Sequence, residues 1–441
     1  MTKMYSCPAG LIFVIVLFTF TGPAWAQYCS RRTTGCCPGR DDSCTASIGD
    51  TLCYCDKFCL RSKDAADCCP DFFNNCTALS IPNPIKTKDC FYMGSSYFAG
   101  DSFKVDCNIC TCLPTAVGYD VQCDNNLCLI REEIITSVNS EPNGWQAGNY
   151  SFLWGMTLDE GEQRRLGTKK PAATVSAMKE INIDEMDDLP ENFDSRQKWP
   201  NWIEGVSDQG NCGSSWAIST TAVASDRMTI QSTGKMWLSL SPQNLLSCNT
   251  RSQQGCNGGN LDRAWFFMRR YGVVTDVCYP YKSGLTDTGM MNKYPCMLPR
   301  DLTTPCPADY VTSEKYKVTP PYRISEKEED IKAEIFKNGP VQATFLVKED
   351  FYMYTGGVYK YTLGSVNGVG EPPRSAYHSV RILGWGVDST DPITQRPYWL
   401  CANSWGEQWG ENGLFRIQRG TNECRIESYV LGVWGNIDMD M

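Results

Sequence analysis

Residues 208–219 read DQGNCGSSWAIS, a stretch that sets a hydroxyl at the start of a helix-like pattern. Gln209 stands six residues ahead of that hydroxyl, which belongs to Ser215. A serine becomes a nucleophile when an adjacent base removes its proton during attack. His378 is the only histidine in the chain, so no other side chain can serve as an imidazole base. Acyl transfer through Ser215 and His378 is therefore the first chemistry to weigh.

The elements around these residues change character along the chain. Helix-like spacing follows the serine, and the apolar side chains available to a buried face over 216–231 are Trp216, Ile218, Val223 and Met228. The second half turns to strand patterns at 341–347, 378–385 and 413–419. Helices first and strands later predict two lobes that face each other across a cleft.

A further helix is predicted between these halves. Ser325 and Glu328 have the spacing of a capping box at its start. The helix then continues through Ile331 and Ile335 and stops at Gly339 and the proline that follows it.

Length and composition bound the possibilities. A chain of 441 residues with 42% hydrophobic and 12% aromatic content is long enough for two to four packed domains. The formal net charge of −9 gives no electrostatic reason to expect a nucleic-acid partner, which normally draws a basic face.

The N-terminal stretch predicts secretion. Residues 11–20 read LIFVIVLFTF, and Ala24, Trp25 and Ala26 follow a short Gly-Pro turn, so a signal peptide over 1–26 is expected. Ten residues as a helix cover roughly 15 Å, half of the ~30 Å core of a bilayer. No later segment approaches eighteen apolar residues in a row, so we expect no membrane insertion.

The 25 cysteines fit an oxidising compartment, where disulfides staple small domains. Cys7 leaves with the signal peptide, and the others form blocks of ten (29–76), six (90–128) and eight (212–424). Each block is even, so each could pair within itself. Zinc is a weaker alternative, because a secreted chain oxidises the thiols that a cytosolic chain would give to metal.

Two resemblances cover the first two blocks. The run CYCDKFC followed by DCCPDFFNNC resembles the somatomedin B module, over 27–80, with an unrelated cysteine-rich knot as the alternative. The CNICTC motif at Cys107, Cys110 and Cys112 resembles a von Willebrand factor type C module over 88–128. A follistatin-like or plain disulfide module remains open for that second block.

Cysteines vanish over 129–188, where REEIITSVNS has a helical pattern. The later WQAG and LGT motifs resemble the prosegment of a cathepsin B-type peptidase, and DEMDDLPE reads as a solvated linker. We call residues 129–188 the prosegment-like region. The sequence leaves open whether this region is removed or retained.

Residues 189–437 carry the strongest resemblance. Five motifs are similar in order and context to those of the papain-like family, and of cathepsin B in particular. They are the Gln209 position, the NCGS turn, the CNGG at 256–259, the HSVRILGWG at 378–386 and the NSWG at 403–406. The whole arrangement of modules resembles the tubulointerstitial nephritis antigen group of matrix proteins. The fold class implied is α+β, a two-lobe papain-like domain with a helical lobe and a β-barrel-like lobe, preceded by small disulfide-rich modules.

The resemblance implies a role for each matching position. Gln209 is expected to donate to an oxyanion, His378 to be the base, Asn403 to orient the imidazole, Gly258 and Gly259 to line the cleft, and Cys212 to form a disulfide with Cys256. It implies no cofactor and no metal.

The nucleophile does not carry across, because Ser215 occupies the position of the family's cysteine. A papain-like site holds that cysteine as a thiolate, favoured by a helix dipole and a protonated histidine. A serine hydroxyl ionises near ~15.7 rather than the thiol's ~8.5, a gap of about 7 units. That gap is on the order of 10 kcal/mol, against at most ~2 kcal/mol from a helix terminus. We therefore expect a degenerate site, with a slow serine peptidase as the alternative.

Other features refine these expectations. The insertion after Cys278 contains no histidine, so the carboxydipeptidase specificity of cathepsin B is not expected. Glycosylation sequons occur at Asn75 and Asn149, and Asn149 is the better candidate because Cys76 directly follows Asn75. No Arg-Gly-Asp triplet is present, so contact with an integrin would need another surface.

The features together predict a secreted, non-catalytic glycoprotein of the extracellular matrix or basement membrane. The resemblance implies adhesion through integrin-type receptors and binding to matrix proteins such as laminin or collagen. The alternatives are an active secreted or lysosomal papain-like peptidase, and a decoy that holds peptides in the old cleft without cutting them.

Overall fold

A computed structural model provides the structure of the chain, and it describes residues 28–33, 35–37, 39, 41–48, 51–60, 67–72, 76, 90–176, 178–181, 183, 186, 188–285, 296, 306, 314–362, 375–390 and 394–437. The chain divides into two compact units, residues 1–101 with 112–121 and residues 102–111 with 122–441. The predicted signal peptide and the sequon at Asn75 lie outside the described residues. Across the described ranges, we find no helix with the length and apolar character needed to cross a bilayer.

The first cysteine block is held by disulfides in place of a conventional core. Its only paired strands within the described residues are β1 (Thr45–Ile48) and β2 (Thr51–Tyr54), and its buried cluster consists of cysteines with Phe72. The five disulfides join Cys29 to Cys55, Cys36 to Cys76, Cys37 to Cys44, Cys53 to Cys69, and Cys59 to Cys68. All ten cysteines of the block therefore pair within it.

The second block also pairs internally, over short strands. These strands are β3 (Cys90–Tyr92), β4 (Ser95–Tyr97), β5 (Ser102–Val105), β6 (Asn108–Thr115) and β7 (Gly118–Cys123). Its disulfides join Cys90 to Cys112, Cys107 to Cys128, and Cys110 to Cys123. The likeness of this block to a named module stays a prediction.

The larger unit contains the described helices α1 to α8. They are α1 (Glu132–Ser140), α2 (Leu158–Arg165), α3 (Ala173–Ser176), α4 (Ser195–Lys198), α5 (Ser215–Gln231), α6 (Pro242–Cys248), α7 (Leu261–Tyr271) and α8 (Glu328–Asn338). Helices α5, α6 and α7 supply most of one hydrophobic core. This packing forms the helical lobe.

Helix α5 is buried on all sides, which differs from the single apolar face predicted for it. Its serines and threonines make this possible because their hydroxyls donate to carbonyls four residues back, as Ser219 does to Ser215, Thr220 to Trp216 and Ser225 to Thr221. Polar side chains that satisfy themselves within the helix can enter a core at little cost. The 3.6-residue pattern of apolar residues could not show this.

Ten strands of the larger unit form one sheet. Along the sheet the order is β8-β13-β16-β15-β14-β12-β17-β11-β9, and β10 pairs with β14 beside this path. The strands are β8 (Trp145–Ala147), β9 (Glu180–Ile181), β10 (Phe193–Asp194), β11 (Tyr322–Ile324), β12 (Val341–Lys348), β13 (Tyr354–Tyr359), β14 (Ser375–Asp388), β15 (Arg396–Ala402), β16 (Leu414–Gln418) and β17 (Val430–Gly432). The predicted α+β class, with a helical lobe and a β lobe, is confirmed.

The prosegment-like region is built into this sheet at both of its ends. Strand β8 pairs antiparallel with β13, and β9 pairs in parallel with β11. The same region also contributes side chains to the core of the β lobe, among them Ile134, Val138 and Leu158. Removing the region would therefore expose two sheet edges and part of that core.

The structure corrects two expectations in this unit, the capping box at Ser325 and the complete internal pairing of the third cysteine block. The capping box at Ser325 is wrong, because α8 begins after Lys327 with no side-chain cap, and the Ser325 hydroxyl donates to Asp330 instead. A capping box does exist, unpredicted, at Thr157 and Glu160 before α2. In the third cysteine block, disulfides join Cys212 to Cys256, Cys248 to Cys296 and Cys278 to Cys306, whereas Cys401 and Cys424 are free.

A buried ion pair ties α5 to its neighbours. The Arg227 guanidinium lies 2.8 Å from Glu334 of α8, and both side chains are almost fully buried. Arg227 also donates to the carbonyl of Pro340, at 2.7 Å, and to that of Val433, at 3.1 Å. This single side chain thus connects three separate stretches of the chain.

Replacing Arg227 by methionine should lower the free energy of unfolding by about 3–5 kcal/mol, because Glu334 and several carbonyls would stay buried without their donor. Chemical denaturation followed by tryptophan fluorescence measures this loss. The matched control is Arg164→Gln, which breaks a partly exposed pair with Glu160 and should cost only about 0.5 kcal/mol. Equal effects of the two substitutions would contradict the importance assigned to burial.

Candidate active site and its occupied cleft

The loop that precedes α5 places Ser215 at the start of the helix. The disulfide between Cys212 and Cys256 fixes this loop, and the amide of Gly213 donates to the carbonyl of Cys256 at 3.0 Å. Ser214 precedes the helix with φ −118° and makes no side-chain cap. Ser215 is fully buried.

A chain of four hydroxyls determines where the Ser215 proton goes. The Ser219 hydroxyl donates to the Ser215 carbonyl, at 2.8 Å, since a carbonyl can only accept. Each hydroxyl has one proton, so Ser379 must donate to Ser219, at 2.9 Å, and Thr168 to Ser379, at 2.7 Å. It follows that Ser215 donates to Thr168, at 2.9 Å. The serine proton is committed to Thr168, and the described residues show no hydrogen bond between Ser215 and His378.

The histidine and asparagine are paired. Asn403 Oδ1 accepts the backbone N–H of Ser404 at 2.8 Å, which identifies that amide atom as the oxygen. His378 Nε2 lies 2.8 Å from the same oxygen and must therefore carry the proton. His378 Nδ1 is left as the unprotonated nitrogen, buried and without a hydrogen-bond partner in the described part of the chain.

The surroundings of His378 disfavour its charged form. The imidazole is fully buried and packs against the rings of Phe345 and Trp405, with centroids 5.9 and 5.4 Å away. Burial lowers the pKa of His378 to about 4, although the hydrogen bond to Asn403 acts in the opposite direction. The imidazole is therefore neutral at pH 7 and cannot supply the cation that a thiolate pair requires.

Gln209 is also fully engaged. Its Nε2 donates to the carbonyls of Cys212, at 2.8 Å, and Leu166, at 3.0 Å, with a longer contact to that of Arg164, at 3.2 Å. Its Oε1 accepts the hydroxyl of Ser404 at 2.7 Å. An amide nitrogen has two protons, so this arrangement leaves none for an oxyanion.

The chain's own residues 166–169 occupy the cleft. The amide of Gly259 donates to the carbonyl of Gly167, and the amide of Lys169 donates to the carbonyl of Gly259, both at 2.9 Å. Gly258 permits this approach, because a Cβ there would come within 2.7 Å of the Gly167 oxygen. The backbone surface at Gly258 and Gly259, expected to hold a substrate, is occupied by the prosegment-like region.

Gly167 itself fits only because it has no side chain. Its φ is +117°, and a Cβ at this position would lie 2.1 Å from the backbone carbonyl of Gly213. Next to this contact the unfilled part of the cleft is a cavity of about 670 Å³. Its polar lining includes Gln163, Lys169, Gln253, Asn257 and Tyr377.

The structure brings most of the sequence-predicted site residues into this one cleft. Ser215, His378, Asn403, Gln209, Gly258, Gly259 and the Cys212–Cys256 disulfide all lie around residues 166–169. Asn149 is separate, in an exposed position after β8. Most of the insertion after Cys278 lies outside the described residues.

Two functional residues were missed by the sequence analysis. Thr168 and Ser379 supply the middle of the hydroxyl chain. Both stand inside motifs already quoted, LGT at 166–168 and HSVRILGWG at 378–386, but the sequence analysis assigned neither side chain a role. The LGT motif indicated a likeness to a cathepsin B-type prosegment, but not that its threonine contacts Ser215.

No described group of side chains offers a clear metal site. The sulfurs of Cys29, Cys55 and Cys69 lie within 4.8 Å of one another. Each of them belongs to a disulfide, so none offers a thiolate ligand.

Comparison with known proteins places the chain in a family. Residues 189–434 match the family described as papain family cysteine protease. Human tubulointerstitial nephritis antigen-like is 45% identical over 428 residues, covering 95% of this chain and 90% of that protein. Human tubulointerstitial nephritis antigen is 42% identical over 425 residues, covering 93% and 87%.

Peptidase relatives match a shorter part of the chain. Cathepsin B-like cysteine proteinase 4 of Caenorhabditis elegans is 36% identical over 322 residues, covering 68% of this chain and 91% of that protein. Among solved structures, procathepsin B S9 from Trypanosoma congolense is similar with a TM-score of 0.60 at 29% identity, covering 70% of this chain and 99% of that one.

The chain therefore belongs to the papain family of cysteine proteases, in the group that contains the tubulointerstitial nephritis antigens. The resemblance drawn from the motifs is confirmed, and so is the papain-like fold. The many disulfides are typical of an extracellular protein.

The state of His378 can be measured directly because the chain contains one histidine. In a protein without a histidine tag, the imidazole NMR signals should titrate with a midpoint near 4, against an ordinary value of ~6.5 in the unfolded chain. The unfolded state then binds more protons between these values, so stability should rise with pH from ~4 to ~6.5, by on the order of 3 kcal/mol.

A His378→Gln variant is the control for this pH dependence. Burial also raises the pKa of Asp350 to about 6, so only the difference between variant and wild type isolates the imidazole. A folded-state midpoint at or above 6.5 would show that His378 is solvated or carries a charged partner.

Proposed function

We propose that the protein is a secreted, non-catalytic glycoprotein of the extracellular matrix or basement membrane that acts in cell adhesion and matrix binding. The observation that carries its non-catalytic character is the 2.9 Å contact between the Ser215 and Thr168 hydroxyls, at the end of a hydroxyl chain whose direction sends the serine proton to Thr168 rather than to His378. Identities of 45% and 42% to the human tubulointerstitial nephritis antigen-like protein and tubulointerstitial nephritis antigen support its assignment to that group.

Three independent obstacles stand between this cleft and peptide hydrolysis. The nucleophilic atom is a serine oxygen, which cannot be held as a ready-made anion in the way that a cysteine thiolate can. The neutral amide of Asn403, rather than a carboxylate, orients His378, so an imidazolium formed during attack would lack its usual stabilisation. The substrate path and the oxyanion donors of Gln209 are both occupied by residues 164–169.

A peptidase remains the second candidate, because the His378–Asn403 pair has hydrogen-bonding geometry suited to a general base. It requires that the prosegment-like region leave the cleft and that Ser215 then reach His378. The prosegment-like region is paired at both edges of the sheet, which opposes its departure from the cleft.

The variant Gly167→Ala distinguishes two causes of inactivity, the blocking of the cleft by residues 166–169 and the serine at position 215. The added Cβ would overlap the Gly213 carbonyl, and the left-handed backbone adds strain, so residues 166–169 should leave the cleft at a cost on the order of 2 kcal/mol or more. Alone, this variant should cut no peptide, since Ser215 remains. Combined with Ser215→Cys, it should cut a peptide library at least about 100-fold faster than either single variant.

The control for that experiment is the triple variant that also carries His378→Gln, which should be silent. Circular dichroism and thermal melts confirm that each variant is folded. Turnover by the wild-type chain, or by Gly167→Ala alone, that disappears with His378→Gln would establish the serine peptidase instead.

The adhesive role is tested on the purified full-length protein. Surfaces coated with it should support cell attachment that function-blocking integrin antibodies reduce, and soluble protein should bind immobilised laminin or collagen. Because the sequence has no Arg-Gly-Asp triplet, Arg-Gly-Asp peptides should not compete. No attachment above an albumin coat, together with no retention in matrix extracts, would contradict this role.

A further inference from the structure

Helix α7 exposes a cationic face on the helical lobe. One side of the helix is buried and consists of Leu261, Ala264, Trp265 and Met268. The opposite side carries Arg263, Phe266, Arg269 and Arg270, and all four are exposed. Arg263, Phe266 and Arg270 follow at intervals of three and four residues, so they lie along one line of the helix surface.

A loop before the helix adds another cation to the same end. The side chain of Gln253 accepts the amide of Asn260 at 2.7 Å and donates to its carbonyl at 2.9 Å. Asn260 Nδ2 also contacts the carbonyl of Ser252 at 3.3 Å. These bonds hold the exposed Arg251 beside the start of α7. We call Arg251, Arg263, Phe266, Arg269 and Arg270 the arginine face.

A lysine stands at the other end of the helix. The amide of Val273 donates to the carbonyl of Tyr316 at 3.0 Å, and Gly272, which follows α7, packs against Lys315. The cations of this surface therefore extend beyond both ends of a helix of eleven residues, which is roughly 16 Å long.

The four arginines of the arginine face are little neutralised by the protein itself. Arg263 has a carboxylate neighbour, Asp262, at 3.5 Å. For Arg251, Arg269 and Arg270, the described part of the chain offers no carboxylate within 4 Å. Most buried or half-buried arginines of the same domain do have such partners, Arg227, Arg381, Arg416 and Arg419 among them.

Helix stability alone does not account for this arrangement. Cations in the last turn of a helix interact favourably with the helix dipole, so Arg269 and Arg270 can stabilise α7. Arg251 and Lys315 lie outside the helix and gain nothing from that dipole. A concentrated positive surface on a chain of net charge −9 is suited to an anionic partner.

We propose that the arginine face binds a sulfated glycosaminoglycan chain. The guanidinium group pairs with oxyanions such as sulfate through two parallel N–H donors, and a row of such groups matches a repeating anionic polymer. Phe266, which is 50% exposed, gives an apolar surface between the arginines that the face of a sugar ring can cover. The choice of a polysaccharide rests on the extracellular location in the proposed function.

Heparin oligosaccharides are the probe, measured by titration calorimetry with the full-length protein at physiological salt. The double variant Arg269→Gln/Arg270→Gln should bind about tenfold more weakly or worse, because two charge-assisted contacts are lost. Affinity should fall as salt rises, and fully desulfated heparin should not bind.

The matched control is Lys327→Gln/Lys337→Gln. It removes the same charge from two exposed lysines at the ends of α8, of which Lys337 lies in the last turn of its helix, as Arg269 and Arg270 both do in α7. Its affinity for heparin should match that of the wild type. Phe266→Ser should weaken binding most clearly at high salt, where the electrostatic part is screened.

Several results would overturn the proposal. No binding of heparin by the wild type, or an equal loss in the two double variants, would show that the arginine face is not the site. Tighter binding to single-stranded DNA or to phosphatidylserine vesicles than to heparin would reassign the face to another polyanion. Heparin binding does not depend on the cleft, so the peptidase and adhesion assays can fail or succeed independently of this one.

Discussion

The chain of hydrogen-bonded hydroxyls from Ser219 to Ser215 is the interaction that keeps the cleft occupied by residues 166–169, and its direction decides where the serine proton lies. This direction is set at one end by the carbonyl of Ser215, which can only accept, and this forces Ser219, Ser379, Thr168 and finally Ser215 each to donate in turn. A thiol is a weaker donor than a hydroxyl, so a cysteine would end this chain poorly. The oxygen that removes thiolate chemistry is thus also the atom that best anchors residues 166–169 in the cleft.

The prosegment-like region has a structural position that a removable inhibitor does not need. It forms both end strands of a ten-stranded sheet and places Ile134, Val138 and Leu158 in the core of the β lobe. In addition, the disulfide between Cys107 and Cys128 secures the chain just before this region begins. Departure of the region would cost sheet hydrogen bonds and apolar burial together, which favours its retention.

The parts of the site that the sequence revealed are those carried by local motifs. Gln209, Ser215, His378 and Asn403 could be identified because each stands in a short pattern with a recognisable order along the chain. The α+β class followed from a change of period between the two halves. The contact of Thr168 with Ser215 and Ser379 could not be predicted, since it joins residues 47 and 211 positions apart through hydroxyls to which their motifs assign no role. The same limit hid the complete burial of α5, whose polar side chains are satisfied within the helix.

The two free cysteines show why an even count does not decide pairing. Cys401 lies in β15 within the buried core of the β lobe, and Cys424 packs against that core from a short 3₁₀ turn, where its φ is +49°. Burial raises the pKa of both thiols well above its ordinary value. Because the thiolate is the species that attacks a disulfide or an oxidant, this burial suppresses their reaction even in an oxidising compartment. An even number of cysteines means only that all of them could pair in an unfolded chain. Once the β lobe has folded, burial keeps Cys401 and Cys424 from forming disulfides.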